Sequence, residues 1–258
     1  MAWTPLSKTK HSSLELKSDN NFSFAREQIM APICSFELQG AASQMPLVFV
    51  KDEDSVNVMG LMGLQSKKNL FIDTEGKWDS PFFLPAVFAA YPFQLAKAED
   101  NRHMILFDED SKNLVEGGLG NRLFDDDQNE TETFLRYTRI LTKIGESEII
   151  SKVACQLLLE FNLLQGFKFE LPQSDTKIVP LDGLYRIDLS RFNNLEDDRF
   201  LKLRRSHTLE FIYAHLFSLN CISKLLALMN LRGKTENSLK GLGAKIFESG
   251  DEAEFSFK

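Results

Sequence analysis

Cysteine is scarce in this sequence, and its cysteines are not arranged in pairs. The 258 residues contain three of them, Cys34, Cys155 and Cys221, with no Cys-x-x-Cys spacing. An odd and widely spaced set argues against a disulfide framework and fits a reducing compartment. Cys155 and Cys221 lie in apolar helical stretches, which favours buried thiols that act as small hydrophobic side chains.

The sequence also lacks a long uninterrupted apolar run. The stretch 81–93 has 13 residues and three prolines, which is too short and too broken to span a bilayer. The longer stretch 209–231 is interrupted by polar residues and fits a buried helix better. The first ten residues are polar and basic, and no apolar region of the kind found in secretory signals follows them. We therefore expect a soluble, cytoplasmic protein.

Recognisable catalytic and cofactor motifs are missing as well. There is no Gly-x-Ser-x-Gly nucleophile elbow and no glycine-rich phosphate loop followed by a lysine. Only four histidines occur. His207 and His215 share a predicted helix but lie about 12 Å apart along its axis, which is too far to bind one metal ion. We expect neither a metal nor a cofactor.

Positive charge is limited and scattered. The chain has 30 Lys+Arg against 37 Asp+Glu, a net charge of −7. Its basic patches are the dipeptides Lys67-Lys68 and Arg204-Arg205. Because nucleic-acid binding depends on a concentrated basic surface that neutralises phosphates, nucleic acid is not an expected partner.

The sequence has enough apolar residues for a substantial core. Hydrophobic residues make up 43% and phenylalanine alone accounts for 22 positions, which excludes a disordered chain. We predict an N-terminal arm at 1–30, a single α+β domain at 31–231, and a flexible tail at 232–258 that is rich in glycine, lysine and glutamate. The late Phe255-Ser-Phe257 of this tail is a candidate for docking elsewhere.

Short β-branched and aromatic runs predict strands in the first half of the chain. They lie at 47–50, 56–64, 70–72 and 104–107. Asp182-Gly183 between the apolar runs 177–181 and 184–189 predicts a β-hairpin, because a type I′ turn needs a positive φ at both central residues.

Helical periodicity predicts the remaining elements. One apolar stripe covers 134–144 and a second covers 150–164, with Gly145 between them, which predicts an antiparallel helical hairpin. The stretch 209–231 is apolar nearly all round, as in a helix packed on several sides, with Asn220 or a neighbour as its expected point of division. The predicted fold class is α+β, with antiparallel strands and hairpins packed with a helical hairpin and a buried C-terminal helix.

An aromatic cluster suggests a binding surface. Six aromatic residues fall within 16 positions, namely Trp78, Phe82, Phe83, Phe88, Tyr91 and Phe93. Either they form the main core, or some of them line a groove for a protein or peptide partner, where aromatic side chains carry much of the binding energy. His215, in the apolar C-terminal helix, is either a hydrogen-bonded core residue or an acid–base group.

Several segments of the chain resemble the SapC family of bacterial proteins. The segments that carry the resemblance lie at 46–51, 69–73 with Gly76 and Trp78, 85–93, 108–111, 181–183 and 209–219. Each motif is loose by itself, but their order and spacing together are specific, and they cover about residues 1–232. The resemblance brings no catalytic residue with it.

The resemblance implies a surface-layer-related protein. It also implies genomic neighbours that are tryptophan-halogenase-like, hydroxylase-like of the 2-oxoglutarate type, and TonB-dependent receptors. The sequence thus favours a non-catalytic cytosolic accessory protein that binds a protein or peptide partner, with Trp78, Tyr91, Phe93, Asp182 and His215 as candidate binding residues. Two alternatives stay open. One is an enzyme that uses His215, Asp182 or Asp108 as acid or base, and the other is a structural protein of the surface layer.

Overall fold

The computed structural model describes residues 2–17, 21–52, 55–79, 82–97, 103–167 and 183–233. The strands in these ranges are β1 (Trp3–Pro5), β2 (Glu15–Leu16), β3 (Met30–Pro32), β4 (Leu47–Lys51), β5 (Val56–Leu61), β6 (Phe93–Lys97), β7 (His103–Asp108), β8 (Leu114–Val115), β9 (Asn121–Arg122), β10 (Leu164–Phe167) and β11 (Leu184–Ile187). The α-helices are α1 (Leu38–Ala42), α2 (Ala86–Ala89), α3 (Glu132–Glu160), α4 (Leu189–Asn193), α5 (Asp197–Arg205), α6 (Thr208–Ser218) and α7 (Cys221–Gly233). Single 3₁₀ turns occur at Ser23–Ala25 and Ser35–Glu37.

A five-stranded antiparallel sheet carries the main core, with the strand order β10-β11-β4-β5-β3. Its central strands β4 and β5 confirm the strands predicted at 47–50 and 56–64. Leu47, Val48 and Phe49 are all buried. When both faces of a strand are covered, neither set of alternating side chains contacts water. This explains why the apolar run is continuous and does not alternate with polar residues. The predicted α+β class with antiparallel strands is confirmed.

The hairpin predicted around Asp182 lies largely outside the described residues. Nothing is described for residues 168–182, and the neighbouring Gly183 has a φ of 80°. The described strand that follows, β11, pairs with β10 on one side and with β4 on the other.

Two smaller antiparallel sheets include the N-terminal residues. One has the order β1-β7-β6 and the other β8-β2-β9. Strand β7 matches the prediction at 104–107. The strand predicted at 70–72 is wrong, because this segment forms only a single bridge between Ile72 and Trp78.

Residues 132–160 form one continuous helix of 29 residues, about 43 Å long. The predicted helical hairpin is therefore wrong, and Gly145 lies inside α3 without ending it. Glycine costs only about 1 kcal/mol relative to alanine in a helix interior, which the packing on both sides of it outweighs. A Cβ atom at position 145 would lie 3.0 Å from Leu95 Cδ2, so the glycine allows a close approach of β6.

The length of α3 matters because its two halves belong to two different hydrophobic cores. Near its start, Phe134 and Leu141 pack with Phe93 and Phe107 in the smaller core. Near its end, Leu158 and its neighbours pack against the large sheet and the C-terminal helices in the main core. A single helix thus connects the two cores.

The predicted C-terminal helix is present but divided. Helices α6 and α7 are separated by residues 219–220 and are bent by 45° relative to each other. In the last turn of α7, Arg232 donates hydrogen bonds to the carbonyl of Ile72 (2.6 Å) and to Asp79 Oδ2 (2.8 Å). These contacts fix the end of α7 against the turn before α2.

We predict that Gly63→Ala destabilises the fold by about 1–3 kcal/mol. A Cβ atom at position 63 would lie 2.2 Å from the backbone oxygen of Lys68, which a rotamer change cannot relieve. The matched control is Gly166→Ala in β10, where a Cβ atom meets nothing within 4 Å. Urea unfolding of both variants measures the effect, and equal midpoints would contradict the prediction.

Candidate functional site

His215 forms a bridge between two strands of the large sheet. Strand β11 pairs with β4 so that Leu184 faces Val50 and Tyr185 faces Phe49. Continuing that register places Ile187 opposite Leu47. The imidazole lies between these two residues, since the Ile187 N–H donates to Nε2 (3.2 Å) and Nδ1 contacts the Leu47 carbonyl oxygen (2.8 Å).

These contacts determine the protonation of His215. Because Nε2 accepts a backbone N–H, the ring proton must lie on Nδ1, where it is donated to the Leu47 carbonyl. Burial lowers the pKa of His215 to about 4, although its bond to Leu47 acts in the opposite direction. His215 is 0% exposed, and both ring nitrogens are occupied. The side chain therefore holds the fold together and has no free atom for a substrate or partner.

Tyr91 and Asp108 form a second polar contact, in which Asp108 is buried and Tyr91 is half-buried. The Tyr91 hydroxyl donates to Asp108 Oδ2 (2.9 Å), and Asp108 Oδ1 accepts the backbone N–H of Ala2 (3.1 Å). Burial, together with the neighbouring carboxylate, raises the pKa of Tyr91 to about 12. The Tyr91 ring stacks on Phe24 at 3.6 Å between centroids. This contact anchors the N-terminal strand β1 to β7.

Trp78 is half-buried among aromatic rings. Its ring makes edge-to-face contacts with Phe22, Phe71 and Phe88, and its Nε1–H donates to the carbonyl of Phe82 (3.0 Å). One side of Trp78 lines a cleft of about 620 Å³. The indole therefore both supports the aromatic cluster and reaches the surface.

The five predicted binding residues do not form one site. Trp78 and Tyr91 belong to the same aromatic cluster, since both are linked to Phe88 directly or through Phe24. Phe93 is 2% exposed and lies in the smaller core, and His215 lies in the large sheet. Asp182 lies outside the described residues.

A large concavity in the described part of the chain is a groove between α1 and the α6–α7 pair. Its volume is about 770 Å³. It is lined by Ser35, Phe36, Leu38, Gln39, Ala42, Ser43, Glu210, Ala214, Phe217, Asn220, Cys221 and Lys224, and we call it the α1/α6 groove. Phe36 is 51% exposed and Phe217 is 68% exposed. Each wall of the groove thus presents an aromatic side chain to solvent.

The wall that carries Phe36 is fixed by a buried carboxylate. Glu37 accepts the backbone N–H of Cys34 through Oε2 (2.9 Å) and that of Ala86 through Oε1 (2.6 Å). Ser147 of α3 accepts the N–H of Ser35 (2.5 Å). Burial raises the pKa of Glu37. These bonds hold the 3₁₀ turn at 35–37 between α2 and α3.

The wall that carries Phe217 is fixed by Leu47, the first residue of β4. Leu47 donates its N–H to Ser218 Oγ (2.8 Å), and its carbonyl accepts from His215. Both backbone groups of Leu47 thus bind side chains of α6. The two walls of the groove are therefore set by separate hydrogen-bonded anchors.

A smaller pocket of about 180 Å³ continues the groove along α7. It shares Ser43 and Lys224 with the groove and adds Gln44, Phe71, Phe82, Leu225 and Leu228. Phe71 and Phe82 stack at 4.2 Å between centroids. Phe82 is the member of the predicted aromatic cluster that lines this pocket, and Trp78 holds its carbonyl.

Sequence reasoning missed Phe36 and Phe217. An apolar residue in a helix that is apolar nearly all round gives no sign that it faces solvent. The i, i+4 spacing of Tyr213 and Phe217 indicates only that the two rings are neighbours on the helix; they stack 6.3 Å apart, and both are exposed. Phe36 had no signal, because its exposure depends on the turn that Glu37 fixes.

All three thiols are buried, which confirms the prediction for Cys155 and Cys221; no prediction was made for Cys34. Burial raises the pKa of Cys34 and of Cys155 to about 12, so neither forms a reactive thiolate near neutral pH. Cys221 lines the groove, and burial raises its pKa as well. Within the described residues, no cluster of His, Cys, Asp and Glu side chains has the arrangement of a metal site.

Comparison with known proteins identifies the family. A family model described as SapC matches residues 6–225, which is most of the chain. The chain belongs to the SapC family. The family resemblance inferred from the sequence motifs is therefore confirmed. In this SapC family member, the matched range includes the residues that line the groove and excludes most of α7. No curated protein and no solved structure matches the chain.

No single helix among the described residues is long and apolar enough to cross a membrane. Helices α6 and α7 reach the required length and composition only when they are taken together, across their 45° bend.

We predict that His215 makes the folding of this SapC family member sensitive to mild acid. Its folded pKa of about 4 lies below the 6.5 of a free histidine. The unfolded chain therefore binds the proton first, and stability is lost as the pH falls below about 6.5. Between pH 7 and pH 5 this loss amounts to about 2 kcal/mol.

The measurement is urea unfolding of the wild type and of His215→Gln at both pH values. The variant is expected to be less stable at pH 7 and to lose about 2 kcal/mol less than the wild type on acidification. Glu37 and the exposed carboxylates are common to both proteins. Their contributions to the pH dependence of stability therefore cancel when the two proteins are compared. Parallel pH profiles would show that His215 is not the titrating group.

Proposed function

We propose that this SapC family member is a non-catalytic cytosolic accessory protein that recognises a protein or peptide partner through the α1/α6 groove. The observation that supports the proposal is the exposure of Phe36 and Phe217 on the two walls of one apolar concavity. Exposed aromatic side chains around a groove are typical of binding surfaces, because their burial by a partner supplies most of the binding energy.

The shape of the groove fits an amphipathic helix or a short apolar segment of the partner. Its floor includes the small residues Ala42 and Ala214, which leave room for inserted side chains. Its edge carries polar and charged groups, among them Glu210 and Lys224. An apolar floor with a polar edge is the arrangement that binds the apolar face of a helix.

The partners that we propose to test first follow from the family resemblance. They are the halogenase-like and hydroxylase-like proteins and the TonB-dependent receptors that the resemblance implies as genomic neighbours. In this proposal Trp78 contributes indirectly, since it holds Phe82 in the wall of the adjoining pocket. Tyr91 contributes by fixing the aromatic cluster from the other side.

Among the described residues, nothing specifically supports the alternative of an acid–base enzyme, and its third candidate, Asp182, lies outside them. His215 has both nitrogens bound to backbone groups, and the buried Asp108 is bound by Tyr91 and by Ala2. Neither side chain opens into the groove. We therefore build the proposal on recognition.

We predict that Phe217→Ala weakens binding of the partner at least tenfold, or about 1.4 kcal/mol, because it removes an aromatic anchor from the wall of the groove. Phe36→Ala is expected to act in the same direction. The measurement is titration calorimetry of the purified chain with each purified neighbour protein. Ile149→Ala is the matched control, since Ile149 is 66% exposed on α3 and does not line the groove.

Binding that Phe217→Ala and Ile149→Ala weaken equally would remove the groove from the proposal. Binding that neither variant affects would do the same. If none of the neighbour proteins binds at micromolar concentration, the proposed function itself fails for these partners.

A further inference from the structure

The cleft beside Trp78 is one half of a longer depression. This cleft, of about 620 Å³, and a second concavity of about 480 Å³ are both lined by Arg136 of α3. We call the two concavities together the Arg136 cleft. Among the described residues, it shares no lining residue with the α1/α6 groove or with the pocket that continues the groove. The Arg136 cleft is therefore a separate feature of the surface, and what it binds is independent of the proposed function.

Asn113 connects the two halves of the cleft. Its carbonyl oxygen accepts the N–H of Lys17 (2.9 Å), a residue that lines the second concavity. Its Nδ2 donates to the carbonyl of Asn21 (3.3 Å), a residue that lines the cleft beside Trp78. Asn21 in turn forms an antiparallel bridge with Lys77, the residue before Trp78. The side chains of Lys17 and Trp78 are thus carried by one hydrogen-bonded frame.

The charged side chains that line the cleft leave two positive charges without a partner. The described cations are Lys17, Lys77, Arg136 and Arg139, and the described carboxylates are Glu75 and Glu132. Glu75 is paired with Lys77 (2.8 Å). Glu132 is paired with Arg139 (2.9 Å). The structure gives Lys17 and Arg136 no ion pair with another described residue. The cleft therefore presents an excess of positive charge in a chain whose net charge is −7.

The half of the cleft beside Trp78 offers an apolar surface in a fixed position. The indole is held by edge-to-face contacts with three phenylalanine rings and by the hydrogen bond from its Nε1 to the Phe82 carbonyl. Phe22 and Leu84 line the same half. Because the indole is already held in one orientation, a flat ring can pack beside it without the cost of ordering it first.

We propose that the Arg136 cleft binds a small aromatic anion, with its carboxylate or phosphate group at Arg136 and Lys17 and its ring beside Trp78. A guanidinium group donates two parallel hydrogen bonds to either kind of anion. Each half of the cleft has the volume of a small-molecule site, about 300–1,000 Å³. Because Arg136 lines both halves, an anion bound to it lies next to the space beside the indole.

Ligand-detected fluorine NMR of the full-length chain tests the proposal without any protein partner. The probes are para-fluorobenzoate and para-fluorophenyl phosphate, which carry both a ring and an anionic group. Each of two comparison compounds lacks one of these features. Para-fluorobenzamide has the ring without the charge, and trifluoroacetate has the charge without the ring.

At least one of the two aromatic anions is expected to bind about fivefold more tightly than either comparison compound, since an ion pair at an exposed arginine contributes up to about that factor. Proton–nitrogen correlation spectra locate the binding. The chain has two tryptophans, and Trp3→Phe assigns their indole signals. The anion is expected to shift the signal of Trp78 and to leave that of Trp3 unchanged.

Charge-matched variants provide the second arm of the test. Arg136→Gln is expected to weaken binding of the aromatic anion about fivefold, and Lys17→Gln is expected to act in the same direction. Arg205→Gln is the control, because Arg205 is exposed on α5 and lies outside the cleft. Urea unfolding of the three variants checks that each one remains folded.

Three results would each overturn the proposal. The first is equal affinity for the aromatic anions and for either comparison compound, because the cleft would then not recognise the ring and the charge together. The second is an equal effect of Arg136→Gln and Arg205→Gln, or a shift of the Trp3 signal in place of the Trp78 signal, because the binding would then lie elsewhere. The third is the absence of saturable binding at millimolar concentrations. None of these results bears on the α1/α6 groove, whose test uses a protein partner and other residues.

Discussion

The position of α6 depends on one imidazole. It stands where a direct backbone hydrogen bond would otherwise join two neighbouring strands of the large sheet. Where β11 moves away from β4, Ile187 and Leu47 are joined through the two nitrogens of His215. Ser218 then binds the remaining N–H of Leu47. Buried backbone groups without partners are costly, so these two side chains hold a helix against the end of a strand. One wall of the groove, including Phe217, follows from that attachment.

The opposite wall depends on α3 and on a buried carboxylate. Because α3 runs through both hydrophobic cores, it provides a fixed surface on which Ser147 binds the turn at 35–37. Glu37 connects the same turn to α2. The groove is thus a gap between two rigidly attached parts, which explains how aromatic side chains stay exposed instead of collapsing into the core.

Much of the secondary structure could be predicted from the sequence, and the site could not. Local patterns predicted β4, β5, β7 and the division between α6 and α7, because the apolar period and the turn residues act over a few positions. The prediction failed at Gly145, where packing in two cores outweighs a local propensity of about 1 kcal/mol. Phe93 and His215 are buried, which agrees with the core alternative that the sequence left open for both and not with a binding role.

By itself, the sequence determined the α+β class, the burial of Cys155 and Cys221, and the SapC family to which the chain belongs. These properties follow from composition, local periodicity and the order of short motifs. Only the tertiary structure decided which aromatic residues face solvent, because exposure depends on which distant segments cover a side chain. Phe217 and Phe211 lie on the same apolar helix, yet Phe211 is buried and Phe217 is exposed. The difference arises from the strands and helices packed around them.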